Sequence, residues 1–350
     1  MNPPRTRTSP ARTNGTRTNG TRTHGTRTHG ARTHGTRLYF ATDLRAADRC
    51  FSKFLSAASA YDAQVLVLGG NLTGTRMAPV VRHRAGVWRA VLNGSPAELR
   101  TDREVARFEQ RAADAGVYTF RTEPDELAAL DDDPAAVDAV FHRLAADRLR
   151  RWLELAADRL PEDRVRLLVC CGNDDPTDLD ALIDASPAAL LTEGRAVELD
   201  ERRVLVGVGY SNETPWRCER ELPEEGLAAR LATALEGVDR SGAQLVLHTH
   251  CPPYDSELDA TVVLDEELRP RTEAGQEIVA PSGSTAVREI VERYEPVLSL
   301  HGRALESRGY VRLGRTLAVN PGSEFSDGIL RGVLVDLDEN GVAHHLLTSG

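Results

Sequence analysis

Lysine is nearly missing from this sequence: Lys53 stands alone among 350 residues, and every other side chain of its charge class is arginine. Acidic residues are missing before Asp43, whereas Arg5, Arg7, Arg12, Arg17, Arg22, Arg27, Arg32 and Arg37 precede it. Residues 1–37 therefore carry +8, and the remainder sets 35 basic residues against 53 acidic ones, or −18. An acidic, almost lysine-free surface suits a protein that stays dissolved in concentrated salt, so a halophilic chain is expected, although high genomic GC content would also favour arginine. No run approaches the ~20 apolar residues that cross a bilayer, and no apolar segment of the signal-peptide kind opens the chain. A cytoplasmic protein without a membrane partner is expected. The five cysteines, Cys50, Cys170, Cys171, Cys218 and Cys251, are too scattered for a disulfide framework and form no CxxC pair, which points to reduced thiols.

Residues 11–37 repeat a five-residue unit, Arg-Thr-Asn-Gly twice and then Arg-Thr-His-Gly three times. Glycine every fifth residue and no large apolar side chain leave little to bury, so residues 1–37 read as a disordered tail with no folded role. Its charge permits weak anion binding and its histidines adventitious metal capture, but a nucleic-acid partner is not expected.

The pattern changes at Leu38. An apolar run ends at Asp43, a helical stretch follows with Phe51, Phe54 and Leu55 at helix spacing, and residues 65–68 form a second apolar run into Gly69 and Gly70. Strands apolar on both faces belong to a sheet covered on both sides. Residues 80–92 alternate like a hairpin and residues 102–160 read as mainly helical, so 76–160 is expected to be an insertion. Further apolar runs at 167–171, 204–208, 245–250, 297–301, 317–320 and 332–337 follow, and several of them end in Gly, Asn or His. Open α/β sheets build their sites just past such strand ends.

Five strand ends form an ordered set: Thr-Asp-Leu-Arg (42–45), Gly-Gly-Asn-Leu-Thr-Gly (69–74), Cys-Gly-Asn-Asp-Asp (171–175), His-Thr-His-Cys-Pro-Pro (248–253) and His-Gly-Arg-Ala-Leu-Glu-Ser (301–307). Their order and spacing over residues 38–350 resemble the signature of the calcineurin-like metallophosphoesterases. The resemblance implies an α/β, four-layer αββα sandwich of two facing mixed sheets with helices outside and a helical insertion. It also implies a site in which two divalent metals ~3.5–4 Å apart polarise a phosphoryl group.

Carried over residue by residue, the resemblance gives a depleted ligand set. Asp43, Asn173 and His250 match metal ligands. Asn71 stands where the family has its bridging aspartate and would be a weak, neutral third ligand beside Asn173 and His250, Arg45 and Arg303 stand where the family has histidines, Leu305 replaces another, and Asp174 replaces the histidine beside the leaving group. A guanidinium ~4 Å from a dication opposes it by roughly 8 kcal/mol at an effective dielectric of ~20. The expectation is a member of that family impaired in two-metal hydrolysis, holding at most one divalent metal (Mn, Fe or Zn). Arg45 and Arg303 would instead grip a phosphate-containing small molecule, a phosphate or a nucleotide, by forked hydrogen bonds without hydrolysing it. The alternative is an active, divergent phosphoesterase with one metal on Asp43, Asn173 and His250 and with Asp174 or Asp175 as proton donor. Asp48, Asp175, His248, Glu306 and Glu324 are substitute ligand candidates for which surface or capping roles are expected.

Overall fold

Strands that are apolar on both faces need two partners, and the chain supplies them as four layers. The computed structural model describes residues 35–83, 86–238 and 244–350. The repeat segment expected to be disordered lies outside these residues up to position 34. One correction applies at its end: Thr36 and Arg37 open the first strand, Thr36–Thr42, where Arg37 forks onto Asp336 at 2.6 and 3.2 Å.

The first six-stranded sheet runs Gly341–Ser349, Arg331–Asp338, Thr36–Thr42, Val65–Gly69, Arg166–Val169 and Leu190–Leu191 in spatial order. Its four strands from Thr36–Thr42 onward are parallel, and the two C-terminal strands add an antiparallel hairpin. The second sheet runs Gly309–Leu313, Thr316–Asn320, Leu298–Leu300, Gln244–Thr249, Arg203–Val208 and Ala196–Asp200, parallel in its middle and antiparallel at both edges.

Period-two alternation sorts the side chains between layers. Leu38, Phe40, Val65, Val67, Leu168, Val333 and Val335 of the first sheet meet Leu205, Val246, Leu298, Leu300, Leu317 and Val319 of the second. The intervening Tyr39, Ala41, Leu66, Leu68 and Leu167 face outward and pack under helices Asp48–Tyr61 (α1), Pro134–Arg159 and Leu179–Asp184. Val206, Val208, Leu245 and Leu247 pack under Glu224–Ala234 and Thr285–Tyr294. The result is a four-layer αββα sandwich of two facing mixed sheets with helices outside.

The insertion is less helical than its composition implies. Val117–Thr122 is a strand that pairs in parallel with Arg76–Arg82, and with Trp88–Leu92 and Ser95–Leu99 they make a separate four-stranded sheet. Asn93 and Gly94, at φ 50° and 75°, supply the left-handed turn between its last two strands. The 26-residue helix Pro134–Arg159 is started by Asp133, whose carboxylate accepts from the amides of Ala135 and Ala136. Its Trp152 stacks on Phe51 of α1 at 4.2 Å, and its buried Arg148 reaches the Ala46 carbonyl and Asp48.

Arg203 joins the two sheets where they end opposite the site. It is 1% exposed, donates to Asp200 at 2.7 Å and Gln244 at 3.0 Å, and reaches the Asp338 carbonyl of the other sheet. Truncating it leaves several acceptors unpaired, so Arg203→Ala is expected to lose about 3 kcal/mol of unfolding free energy in urea titration. A loss within about 0.5 kcal/mol would contradict this role.

Candidate functional site

The parallel strands of both sheets end on the same edge, and five of them hand over to loops that carry polar side chains. Asp43 follows Thr36–Thr42, Asn71 follows Val65–Gly69, Asn173 and Asp174 follow Arg166–Val169, His250 follows Gln244–Thr249, and Arg303 follows Leu298–Leu300. Such ends need abrupt changes of direction. Asp43, Arg45, Asn71 and Arg303 all sit at positive φ, at 54°, 44°, 54° and 62°. Left-handed backbone at a residue other than glycine costs about 1 kcal/mol or more, so this edge stores strain that the rest of the fold must hold. Where the loops touch most closely only glycine fits: a Cβ on Gly172 would strike the Asn71 backbone, and one on Gly302 would strike Thr42 Oγ1 and Asp43 Oδ2.

Asp43 lies at the centre and is 1% exposed. Its Oδ2 accepts from Thr42 Oγ1 at 2.8 Å and the Arg303 amide at 3.0 Å, and its Oδ1 accepts from Asn71 Nδ2 at 2.9 Å. The same Nδ2 is 3.3 Å from Asn173 Oδ1, while Asn71 Oδ1 accepts the Asp174 amide at 3.0 Å. His250 Nε2 approaches Asp43 Oδ1 to 4.0 Å. Arg45 crosses this group, with Nη1 2.5 Å from Asp174 Oδ2 and Nη2 3.7 Å from Asp43 Oδ1. Arg303 turns its guanidinium to the Ser282 carbonyl and hydroxyl. Thus Asp43, Arg45, Asn71, Asn173, Asp174 and His250 form one connected polar cluster, joined by the backbone of Arg303. Leu305 lies outside this network.

Burial raises the Asp43 pKa despite Arg45 and three hydrogen bonds. Burial also works against Asp174, but Arg45 and the Cys218 thiol outweigh it and hold that carboxyl below its usual range. Desolvation opposes the Arg45 charge too, and Asp174 and Asp43 more than compensate. The His250 ring is pushed down to about 3 by burial, partly offset by Asp174 and reinforced by Arg303 and Arg45. Neither of its nitrogens has a hydrogen-bond partner, nor do Arg45 Nε and Arg303 Nε, all of them buried atoms.

The substitute candidates lie elsewhere or do something else. Asp48 pairs with Arg148 and Trp152, Glu324 pairs with Arg331, and Glu306 is exposed. His248 is buried between the sheets against Phe40. Asp175 is the residue whose importance the sequence concealed. It is 1% exposed and accepts four hydrogen bonds of 2.6–3.0 Å, from the amides of Leu72, Thr73 and Gly172 and from Thr73 Oγ1, tying two site loops together. Its tandem position after Asp174 was the available signal. Among the described residues no three His, Cys, Asp or Glu side chains are grouped as a metal site.

No family model matches the chain. Over 161 residues it is 28% identical to an uncharacterized protein, MJ1162, of Methanocaldococcus jannaschii; the match spans 45% of this chain and 65% of that relative, just under two thirds of its length. One crystal structure, of a molecule not identified by name, aligns with a TM-score of 0.53 at 17% identity, covering 90% of this chain and 98% of that one. The protein TT1561 of Thermus thermophilus aligns at 0.46 with 15% identity over 90% and 98% of the two chains. A dimetal phosphatase from Danio rerio aligns at 0.42 with 8% identity over 89% and 98%. At 17% identity and a TM-score of 0.53, the first of these likenesses is one of fold alone.

Three buried histidines lie at this edge or just beneath it. Burial lowers His248 and His250 to about 3 and His301 to about 4, the last against hydrogen bonds that its ring donates to the backbone of Thr249 and Cys251. A folded-state pKa below the unfolded value of ~6.5 means stability that is complete above pH ~6.5 and lost as pH falls towards ~4. Each contributes a slope of up to about 1.4 kcal/mol per pH unit, so urea unfolding is expected to weaken steeply between about pH 6.5 and 5. A flat profile across that interval would contradict neutral burial.

Proposed function

We propose that this chain uses the metallophosphoesterase-like sandwich to bind a phosphate-bearing small molecule by arginine, and that it lacks efficient two-metal hydrolysis. The observation that carries the reading is Arg45, lodged 2.5 Å from Asp174 and 3.7 Å from Asp43. A guanidinium between those carboxylates takes the electrostatic place that a metal pair would need.

The donor chemistry does not fit two dications. Asp43 is the one carboxylate at the centre, and its oxygens already accept from Thr42, Asn71 and Arg303. Asn71 offers a neutral amide whose nitrogen points at Asp43 and Asn173, so the bridging position donates hydrogen bonds and supplies no negative charge. What remains uncommitted favours an anion: Arg303 Nε and Arg45 Nε are buried donors without partners. Charge-assisted hydrogen bonds from them would be short and strong.

The second reading, an active phosphoesterase on one divalent ion held by Asp43, Asn173 and His250, draws support from the 4.0 Å approach of His250 to Asp43. It is weakened by Asp174, which Arg45 keeps ionised and therefore a poor proton donor. Manganese-stimulated hydrolysis of a phosphodiester that disappears in Asp43→Ala would establish this reading in place of the first.

For the proposed function, calorimetric titration with inorganic phosphate in EDTA buffer is expected to show binding, about tenfold weaker in Arg303→Ala. No heat in the wild-type protein would refute it. Metal analysis is expected to find fewer than two ions per chain, rising in a variant that combines Arg45→His, Asn71→Asp, Arg303→His and Leu305→His. Two ions in the wild type would overturn the proposed loss.

A further inference from the structure

The segment from Glu213 to Glu221 is bolted to the site loop through Cys218, Glu219, Arg220 and Glu221. Glu221 accepts from the Thr214 amide at 2.9 Å and hydroxyl at 2.6 Å, and its Oε1 also accepts from Asn173 Nδ2 at 3.0 Å. Cys218 Sγ donates to Asp174 Oδ1 at 3.2 Å. Arg220, 0% exposed, donates to the carbonyls of Asp175 and Pro176 and forks onto Asp180 with two bonds of 3.0 Å. Within the segment the Thr214 hydroxyl accepts the Trp216 amide at 3.3 Å, Pro215 restricts the backbone, and Arg217 is held at φ 52°.

All this rigidity presents one side chain that the fold does not use. Trp216 is 60% exposed, whereas Trp152 is buried in the core at 3%. It lies two residues from Thr214 and two from Cys218, so its Cα is within about 7 Å of each. Trp216 thus stands on a segment that is hydrogen-bonded to Asn173 and Asp174, the latter the partner of Arg45. A tryptophan held in water on a strained, ordered loop gives up its burial energy, and a flat partner would recover it.

We infer that the ligand of the arginine cleft is a nucleotide whose base stacks on Trp216 while its phosphate meets Arg45 and Arg303. The inference rests on the phosphate reading above and adds the class of molecule. Base–aromatic stacking tolerates any base because every base has a π-face, so purine nucleotides, with the larger ring, gain most.

The test compares AMP, ribose 5-phosphate and inorganic phosphate by calorimetry in EDTA buffer, using the full chain. AMP is expected to bind about tenfold tighter than ribose 5-phosphate. Trp216→Ala should remove that gap without weakening ribose 5-phosphate, and Trp216→Phe should keep part of it. Binding of all three probes with AMP no tighter than ribose 5-phosphate would overturn the stacking inference and leave the phosphate reading standing. A gap that persists in Trp216→Ala would also overturn it. Absence of binding by every probe would remove the phosphate reading and this inference with it.

Discussion

A carboxylate that is 1% exposed needs a cation or a proton, and the strand-end edge of this sandwich is arranged around how Asp43 meets that need. Taking an ion out of water costs several kcal/mol, more than the ~1 kcal/mol of strain at each left-handed residue nearby. Arg45 answers both Asp43 and Asp174 from a backbone at φ 44°, and Asn71 adds its amide from φ 54°. Electrostatics therefore outweigh backbone preference at this edge. His250 then stays neutral, because burial disfavours its charge and one more positive group beside Arg45 and Arg303 would be repelled.

The strained residues are held from behind. Asp175 pins the loops after the second and third parallel strands of the first sheet through four hydrogen bonds, and Arg148 grips the carbonyl of Ala46, itself at φ 59°. Arg148 belongs to the long helix that closes the insertion, and its guanidinium also lies over the Tyr118 ring at 5.4 Å. Tyr118 in turn accepts the Gly74 amide through its hydroxyl at 3.0 Å. The insertion thus reaches two of the site loops and is a structural part of the edge.

The sandwich was legible because its strands are buried on both faces: Leu38-Tyr39-Phe40 and Val65-Leu66-Val67-Leu68 are apolar without a break, which a one-sided sheet would not require. The strand ends were legible because polar residues interrupt those runs at Asp43, Asn71, Asn173 and His250. The strand Val117–Thr122 was hidden because so short a segment between two strongly helical stretches gives too few periods to read, and its partner, Arg76–Arg82, lies far back in the chain. Asp175, Arg148 and Arg220 were hidden for a different reason. A single polar residue that satisfies backbone groups far along the chain looks, in sequence, like any surface charge, and only the folded distances distinguish the two. The direction of Arg45 belongs to the same class, since its type says cation but not that it turns inward to Asp174.

A guanidinium and a metal pair differ in more than position. A metal lowers the pKa of a bound water and so creates a nucleophile, whereas an arginine is protonated at every working pH and can only attract and orient. On the proposed reading, Arg45 and Arg303 keep the affinity of the edge for phosphoryl oxygens and give up the means of attacking them. On that reading their fixed charge also frees binding from metal supply. Salt should matter less than for a surface site, because Arg45 is largely shielded from solvent and its partners are buried beside it. On the same reading, recognition among shielded side chains is the form of phosphate binding that screening disturbs least.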